Sequence, residues 1–280
     1  EQGLIYGILA LGIYITYKIL DFPDLTVDGS FPLGAAVTAL MITKGANPYL
    51  TLPAAFAAGV AAGICTGLIH VKCKVRDLTA LWTINLRGAG TANVPLFSQK
   101  TIFKNDTLDK LLPSGFSAYS TLLIILIIAL IVKIILDLYL NTKSGYLLRA
   151  VGDNDKLVTA MAKDEGNVKI LGLAIANGLC SLAGCIFCQA ERVFEISSGT
   201  GAMVIGLASV IIGTSIFKKI SFVKTTTAVL IGSIIYKACV AIALKNFEPQ
   251  DMKLITAVLF LVILVLSMER KKKVKKNAGA

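Results

Sequence analysis

The sequence has few charged residues and almost no histidine or tryptophan. Asp, Glu, Lys and Arg make up 16% of the 280 residues, and hydrophobic residues make up 55%. Ordinary globular domains carry roughly 25% charged residues, so this composition excludes a soluble domain. The single His also leaves little material for imidazole-based catalysis or for a histidine metal site.

Long stretches of the chain contain no Asp, Glu, Lys or Arg. They cover residues 45–71, 111–132, 170–190 and 196–217. Each is close to or above the ~20 residues that a helix needs to cross the hydrocarbon core of a bilayer. The sequence therefore predicts an all-α polytopic membrane protein.

Several catalytic signatures are missing from the sequence. It contains no GxxxxGK[ST] motif, no kinase-type glycine-rich loop and no set of residues at metal-ligand spacing. Cys185 and Cys188 have CxxC spacing, but no second pair or nearby His accompanies them, so we expect packing roles. We expect no enzyme activity, no metal and no cofactor. Uphill transport would need an ion gradient or a separate ATPase.

The formal net charge of +11 is concentrated in a few segments. The tail 269–276 (ERKKKVKK) follows an apolar segment, and further basic residues lie in 72–76, in the loop 141–169 and in the FKK turn with Lys224. Because basic loops mark the cytoplasmic side, we expect a multi-pass protein of the cell membrane with its N-terminus outside and its C-terminus in the cytoplasm.

We predict about nine membrane segments in one permease-like domain, residues 1–268, followed by a basic tail, 269–280. The segments cover about 3–20, 33–43, 50–71, 118–140, 168–190, 201–217, 223–244 and 252–268, with 77–92 as a broken or half helix. The extracytoplasmic loop 93–117 is predicted to carry one short surface helix, and the cytoplasmic loop spans 141–167.

Two polar breaks interrupt the apolar pattern in matching positions. DLTVDG separates the segments 3–20 and 33–43, and ERVFEISSGTG separates 168–190 from 201–217. An odd number of segments lies between the two units, so they would have opposite orientations. Interrupted helices in an inverted repeat are typical of transporters, whose substrate path lies at the repeat interface.

The breaks supply most candidates for a substrate path, which are Asp24, Thr26, Asp28, Ser30, Ser198 and Thr200, joined by Trp82, Asn85 and Lys237. A buried aspartate is costly at membrane depth, so Asp28 should meet a cation or helix N-terminal amides, and Lys237 is one candidate partner. Trp82 could instead be an interfacial anchor, and Lys237 could snorkel or form a structural ion pair. The second break could face an anionic substrate group or only let two helices cross closely.

The loop 144–166 has an apolar stripe at helical spacing, interrupted by Gly152. Two short amphipathic helices joined by a Gly-Asp-Asn turn could lie on the membrane surface as an anchor, or they could project from it to bind a soluble partner. The turn favours the second alternative, because a membrane anchor does not need a turn between its helices.

Three motifs carry a family resemblance that covers essentially the whole chain: DLTVDGSFPLGAAV, LLRAVGDN and GTGAMVIGLASVIIG. They resemble permease subunits of bacterial ABC importers of the branched-chain amino acid and ribose type. Within these, the chain is most similar to the tryptophan/tyrosine-type subgroup of amino-acid permeases. The resemblance implies a homodimer, a cytosolic ATPase dimer that uses ATP, and an extracytoplasmic substrate-binding protein.

The resemblance also implies a role for the cytoplasmic loop. Its coupling helix would dock into the ATPase through Arg149, Ala150, Gly152, Asp153 and Asn154. The imported solute would be an amino acid, with an aromatic one suggested by the subgroup. The alternative is a secondary transporter driven by H⁺ or Na⁺, which the few acids inside the spans disfavour.

Overall fold

The computed structural model describes residues 1–22, 24–73, 93–103, 119–153, 164–220 and 222–243, with positions 256–258, 261 and 265. The helices of this part are α1 (Gln2–Tyr14), α2 (Val27–Thr43), α3 (Thr51–Cys73), α4 (Ser120–Leu140), α5 (Lys143–Asp153), α6 (Glu165–Glu191), α7 (Ala202–Ile216) and α8 (Thr225–Ala243). Two short strands, β1 (Asn93–Pro95) and β2 (Val193–Glu195), pair antiparallel. A π-helical turn, Ile15–Ile19, extends α1.

Six helical stretches of the described residues are long and apolar enough to cross a membrane. They are Gln2–Ile19, Pro48–Lys72, Ser120–Leu140, Glu165–Glu191, Ile196–Ile216 and Thr225–Ala243, and Val27–Thr43 is a shorter apolar helix. The prediction of an all-α polytopic membrane protein is confirmed. The half helix at 77–92 and nearly all of the segment at 252–268 lie outside the described residues, so the count of nine segments stays a prediction.

Helix α6 lies at the centre of the described bundle, and its neighbours can be oriented by their contacts. Gln2 at the start of α1 donates to Glu191 at the end of α6, so the two helices are antiparallel. Helix α3 is also antiparallel to α6, because Gln189 donates to Thr51 at 2.8 Å. Helix α8 is antiparallel to α1, since Ser233 donates to the carbonyl of Gly3.

Helix α2 runs parallel to α6 and crosses it closely. Ser30 contacts Asn177, and four residues further along each helix Gly34 faces Ser181. A Cβ atom at Gly34 would overlap the carbonyl oxygen of Ser181, and one at Gly184 would overlap that of Phe31. These two glycines are required by the approach of the two backbones, as is usual where helices pack tightly inside a membrane.

The bundle has two distinguishable ends. The sheet end carries β1, β2 and Gln189, whose fully buried side chain also accepts a hydrogen bond from the Ile102 amide. The α5 end carries helix α5, which packs on the last residues of the π-helical turn of α1. Helix α1 therefore runs from the sheet end to the α5 end.

The chain returns toward the middle of the bundle after α1. Thr26 and Ser30 both contact Asn177, which lies about 18 Å along α6 from Glu165 at 1.5 Å per residue. Helix α2 thus begins near the middle and runs to the sheet end. The chain therefore enters the first break from the α5 end, where the π-helical turn of α1 finishes.

Helix α7 also begins near the middle and runs in the opposite direction. The Asp28 carboxylate contacts the amides of Gly201 and Met203 at its start. At its other end Gly213 packs on Ala228, near the start of α8. The two interrupted units, α1 with α2 and α6 with α7, therefore have opposite orientations, which agrees with the predicted inverted repeat.

One local prediction was wrong. Helix α2 begins at Val27 rather than at residue 33, with Thr26 as its N-cap residue. The amides of Gly29 and Ser30 donate to the Thr26 carbonyl, so one helical turn forms before Pro32, which lies inside the helix. Proline removes one later hydrogen bond but does not prevent the turn that precedes it.

The loop 93–117 contains strand β1 at Asn93–Pro95, which the sequence did not indicate. A three-residue strand exists only through its partner β2, about 100 residues away, so local patterning could not reveal it. Residues 104–117 lie outside the described residues, so the predicted surface helix stays a prediction. Helix α5 ends at Asp153, inside the predicted Gly-Asp-Asn turn, and the second helix predicted after this turn falls mostly outside the described residues.

Candidate functional site at two interrupted helices

The first break carries a buried polar network that joins it to α6. Asp24 accepts hydrogen bonds from the amide of Thr26 at 2.9 Å, from the Thr26 hydroxyl at 2.5 Å and from the side-chain amide of Asn177 at 2.7 Å. Ser30 donates to the Asn177 side-chain oxygen at 2.5 Å. Asp24, Thr26, Ser30 and Asn177 are all 0–2% exposed.

Three donors satisfy the Asp24 carboxylate, two from Thr26 and one from Asn177. The Thr26 hydroxyl lies near both Asp24 and Asn177 but has one proton, and the shorter distance assigns that proton to Asp24. Asn177 also donates to the Leu173 carbonyl one turn earlier in α6, which fixes its orientation. A buried network of this kind is stable only when every member is satisfied, and losing Asn177 would leave the Oδ2 atom of Asp24 without its donor.

Asp28 connects the first break to the second. Its carboxylate oxygens accept from the amide of Met203 at 2.7 Å and from the amide of Gly201 at 3.3 Å, the free donors at the start of α7. Asp28 is half-buried. A negative charge at this position interacts favourably with the helix dipole, which makes Asp28 a capping residue supplied by another helix. Helix N-terminal amides were one of the two partners predicted for it.

Residues of the second break surround the contact between Asp28 and the start of α7. Gly201 has a φ of +83°, and Gly199 lies against the Asp28 carbonyl and the Pro32 ring, where a Cβ atom would overlap both. The Ser198 hydroxyl is buried and finds no hydrogen-bond partner within the described residues. Thr200 is exposed. The predicted path residues of the two breaks therefore meet at one place, near the middle of the bundle.

Lys237 lies elsewhere. Its ammonium group is 3.7 Å from the centre of the Tyr6 ring, a cation–π contact, and not against Asp28. Tyr6 stacks in turn on Phe31 of α2, with ring centres 5.8 Å apart. Trp82 and Asn85, the remaining predicted path residues, lie outside the described residues.

Helix α5 contains four of the five predicted coupling residues. Arg149 and Asp153 are exposed, together with Lys143 and Tyr146, on the face turned away from the bundle. Leu148 and Val151 are buried on the opposite face.

Ala150 and Gly152 lie at the border between these two faces of α5, and Asn154 lies outside the described residues. A Cβ atom at Gly152 would overlap the carbonyl of Ile19. Gly152 is therefore a packing position against α1 and not part of the exposed face.

Sequence reasoning missed Asn177, the side chain that holds the first break. The available signal was a lone amide in the apolar run LGLAIANGLC, because an uncharged polar residue inside a span usually hydrogen-bonds to another helix. Tyr6 was missed as the partner of Lys237, since nothing in the sequence relates two residues of α1 and α8.

Comparison with known proteins gives consistent matches. Residues 1–268 match the family described as branched-chain amino acid transport system, permease component. A Clostridioides difficile protein named tyrosine transport system permease protein is 40% identical over 271 residues, 94% of this chain and 88% of that protein. No solved structure matches this chain.

Two further relatives are more distant. An uncharacterised protein of Rickettsia prowazekii is 32% identical over 276 residues, 94% of each chain. A Methanocaldococcus jannaschii protein named probable branched-chain amino acid transport permease protein is 29% identical over 226 residues, 73% of this chain and 69% of that protein.

Proposed function

Because this chain belongs to the family of branched-chain amino acid transport permeases, which are multi-pass membrane subunits of ABC transporters without an ATPase site of their own, we propose that it imports an amino acid, driven by ATP. The observation that carries the amino-acid assignment is the 40% identity to a protein named for tyrosine transport. An aromatic amino acid is therefore the first substrate to test.

The proposed complex contains two copies of this chain, a dimer of cytosolic ATPases and an extracytoplasmic binding protein. The chain itself uses no cofactor, and ATP is consumed by the partner. Family membership supports the ATPase and the binding protein. The exposed face of α5, formed by Lys143, Tyr146, Arg149 and Asp153, is the proposed ATPase contact, because it offers charged and aromatic groups on a short rigid helix.

We assign the α5 end to the cytoplasm and the sheet end to the outside. Exposed basic residues gather at the α5 end: Lys72, Lys143, Arg149, Lys218 and Lys224. Basic residues next to membrane spans favour the cytoplasmic side. With this assignment the N-terminus of α1 and the end of α8 lie outside. The predicted span 252–268 would then return the basic tail to the cytoplasm.

The proposed path passes the meeting point of the two breaks. Asp28, Ser198 and Thr200 are partly exposed or unpartnered there, whereas Asp24, Thr26 and Ser30 are closed off by Asn177 in this state. Opening a path requires the first break to move against the start of α7. The Asp28 carboxylate is the contact that such a movement would break and remake. Trp82 and Asn85 remain proposed path residues.

The energy source separates this proposal from its alternative, a transporter driven by an ion gradient. Cells that express the permease with its ATPase and binding protein should lose uptake of radiolabelled tyrosine when ATP is depleted and keep it when an ionophore collapses the ion gradients with ATP maintained. The reverse result would support an ion-driven carrier. A lack of tyrosine uptake together with ATP-dependent uptake of another amino acid would overturn the substrate and keep the class.

A further inference from the structure

Lys237 is a half-buried cation on the side of the bundle. Helix α8 ends at Ala243, at the sheet end of the bundle. Lys237 lies six residues before Ala243, which corresponds to about 9 Å along the helix axis. One side of its ammonium group faces the Tyr6 ring at 3.7 Å. A ring face satisfies only part of an ammonium group, which has three N–H donors. Lys237 can therefore bind an additional acceptor.

A cavity of about 580 Å³ lies next to Lys237, between α1, α4 and α8. Its other walls are mainly apolar and include Gly3, Leu122, Ile234 and Ala241. Ligand sites in proteins span about 300–1,000 Å³, so the volume is sufficient for a ligand. The shape of the site, one cation on an apolar wall, matches a molecule with a charged head and a hydrocarbon chain.

The mouth of the cavity opens on a surface that meets lipid. Ile234, which lines the cavity, is 44% exposed on α8, and the lining residues Ala238 and Ala241 are exposed on the same helix. Such apolar faces on membrane-spanning helices contact acyl chains in a bilayer. Lys237 lies at the depth from which a lysine side chain reaches the headgroup region.

Acidic groups stand at the rim of the same cavity. Glu1 lines it, and Glu191 accepts a hydrogen bond from Gln2, another lining residue, at 2.9 Å. A purely anionic headgroup would be attracted by Lys237 but repelled by these carboxylates. A headgroup with a phosphate and an ammonium group would find both partners within one site.

We propose that this cavity binds a phosphatidylethanolamine molecule of the surrounding membrane, with its phosphate on Lys237, its ammonium toward Glu1 and Glu191, and an acyl chain along Leu122, Ile234 and Ala241. This inference moves Lys237 from the substrate path to the lipid boundary. A bound lipid would fix α8 against α1 at the sheet end, where Ser233 already donates to the Gly3 carbonyl.

The test is a lipid titration of the purified, delipidated full chain in detergent, followed by native mass spectrometry. The wild-type chain should retain one phosphatidylethanolamine and bind phosphatidylglycerol more weakly. Lys237→Gln should weaken phosphatidylethanolamine binding by about tenfold, the effect expected from the loss of one charge-assisted hydrogen bond. Lys133→Gln is the matched control, since Lys133 is another lysine in a span but pairs with Asp137 at 3.1 Å.

A second variant tests the proposal independently in case Lys237→Gln does not fold. Ala241→Trp keeps Lys237, fills the cavity from an exposed position and should also exclude the lipid. Unchanged phosphatidylethanolamine binding in both variants would overturn the proposal, as would tighter binding of phosphatidylglycerol. Displacement of the lipid by equimolar tyrosine would show that the cavity is an amino-acid site instead.

Discussion

Asp28 is the residue at which the two interrupted helices are joined. Its two oxygens bind two amides of α7, while its own backbone belongs to the first turn of α2. The Asp28 carboxylate, which belongs to the first turn of α2, therefore stabilises the start of α7. Asp24 has a different role, because its carboxylate is fully buried and is held by Thr26 and Asn177.

Replacing Asp28 by Asn should reduce uptake by at least about tenfold and leave assembly intact. Asparagine caps helices about as well as aspartate, so the loss in stability should stay within about 1 kcal/mol, but the charge that faces the helix dipole is removed. Initial rates of tyrosine uptake, compared with the amount of complex in the membrane, measure the effect.

Asp21→Asn is the control for this variant. Asp21 is an exposed acid of the same break with a φ of +51°, a conformation that Asn also tolerates. It should transport normally. Uptake by the Asp28 variant at the wild-type rate would remove Asp28 from the transport mechanism.

Helix α5 is the element that relates the outside of the bundle to its first break. Its buried face contacts the π-helical turn of α1 through Gly152, and the break begins directly after that turn. A force applied to α5 would therefore reach Asp24 and Asp28 through fewer than ten residues of chain. Because Gly152 lies so close to the Ile19 carbonyl, α5 and this turn have little room to shift against each other.

Arg149→Glu should leave the permease folded and reduce co-purification of the ATPase by about tenfold. Because Arg149 is exposed on α5, reversing its charge should change the stability of the fold little. The change places a negative charge in the proposed ATPase contact, where the wild-type chain has a positive one. Lys44→Glu makes the same charge change at the opposite end of the bundle and should have no effect. Full ATPase binding by the Arg149 variant would contradict the coupling role of this face.

Element types were more predictable than element starts. The runs without charge indicated α3, α4, α6 and α7, because burial in a bilayer imposes a long apolar stretch on each helix. The predicted start of α2 was wrong by six residues. Pro32 suggested that the helix begins after it, but the Thr26 carbonyl already accepts the hydrogen bonds of a helical turn that precedes Pro32. Strand β1 could not be predicted, because its hydrogen bonds come from β2.

The whole molecule combines two inverted units whose interrupted helices start from one point. The sequence indicated both breaks and their opposite orientations, and it predicted that Asp28 needs either a cation or helix N-terminal amides. It could not reveal that both breaks reach the same depth, because that depends on Asn177 and on the amides of Gly201 and Met203, which only the fold brings together. The proposed polarity of the two ends rests on the exposed basic residues at the α5 end.

Transport by the reconstituted complex tests whether this chain belongs to an ATP-driven amino-acid importer. The permease and its ATPase would be placed in proteoliposomes, and uptake of radiolabelled tyrosine would be measured with ATP sealed inside and the binding protein added outside. An ATP-driven importer with its α5 end facing ATP should accumulate tyrosine, and a non-hydrolysable ATP analogue should abolish accumulation. Equal accumulation with the analogue, or accumulation that requires only an ion gradient, would contradict the account.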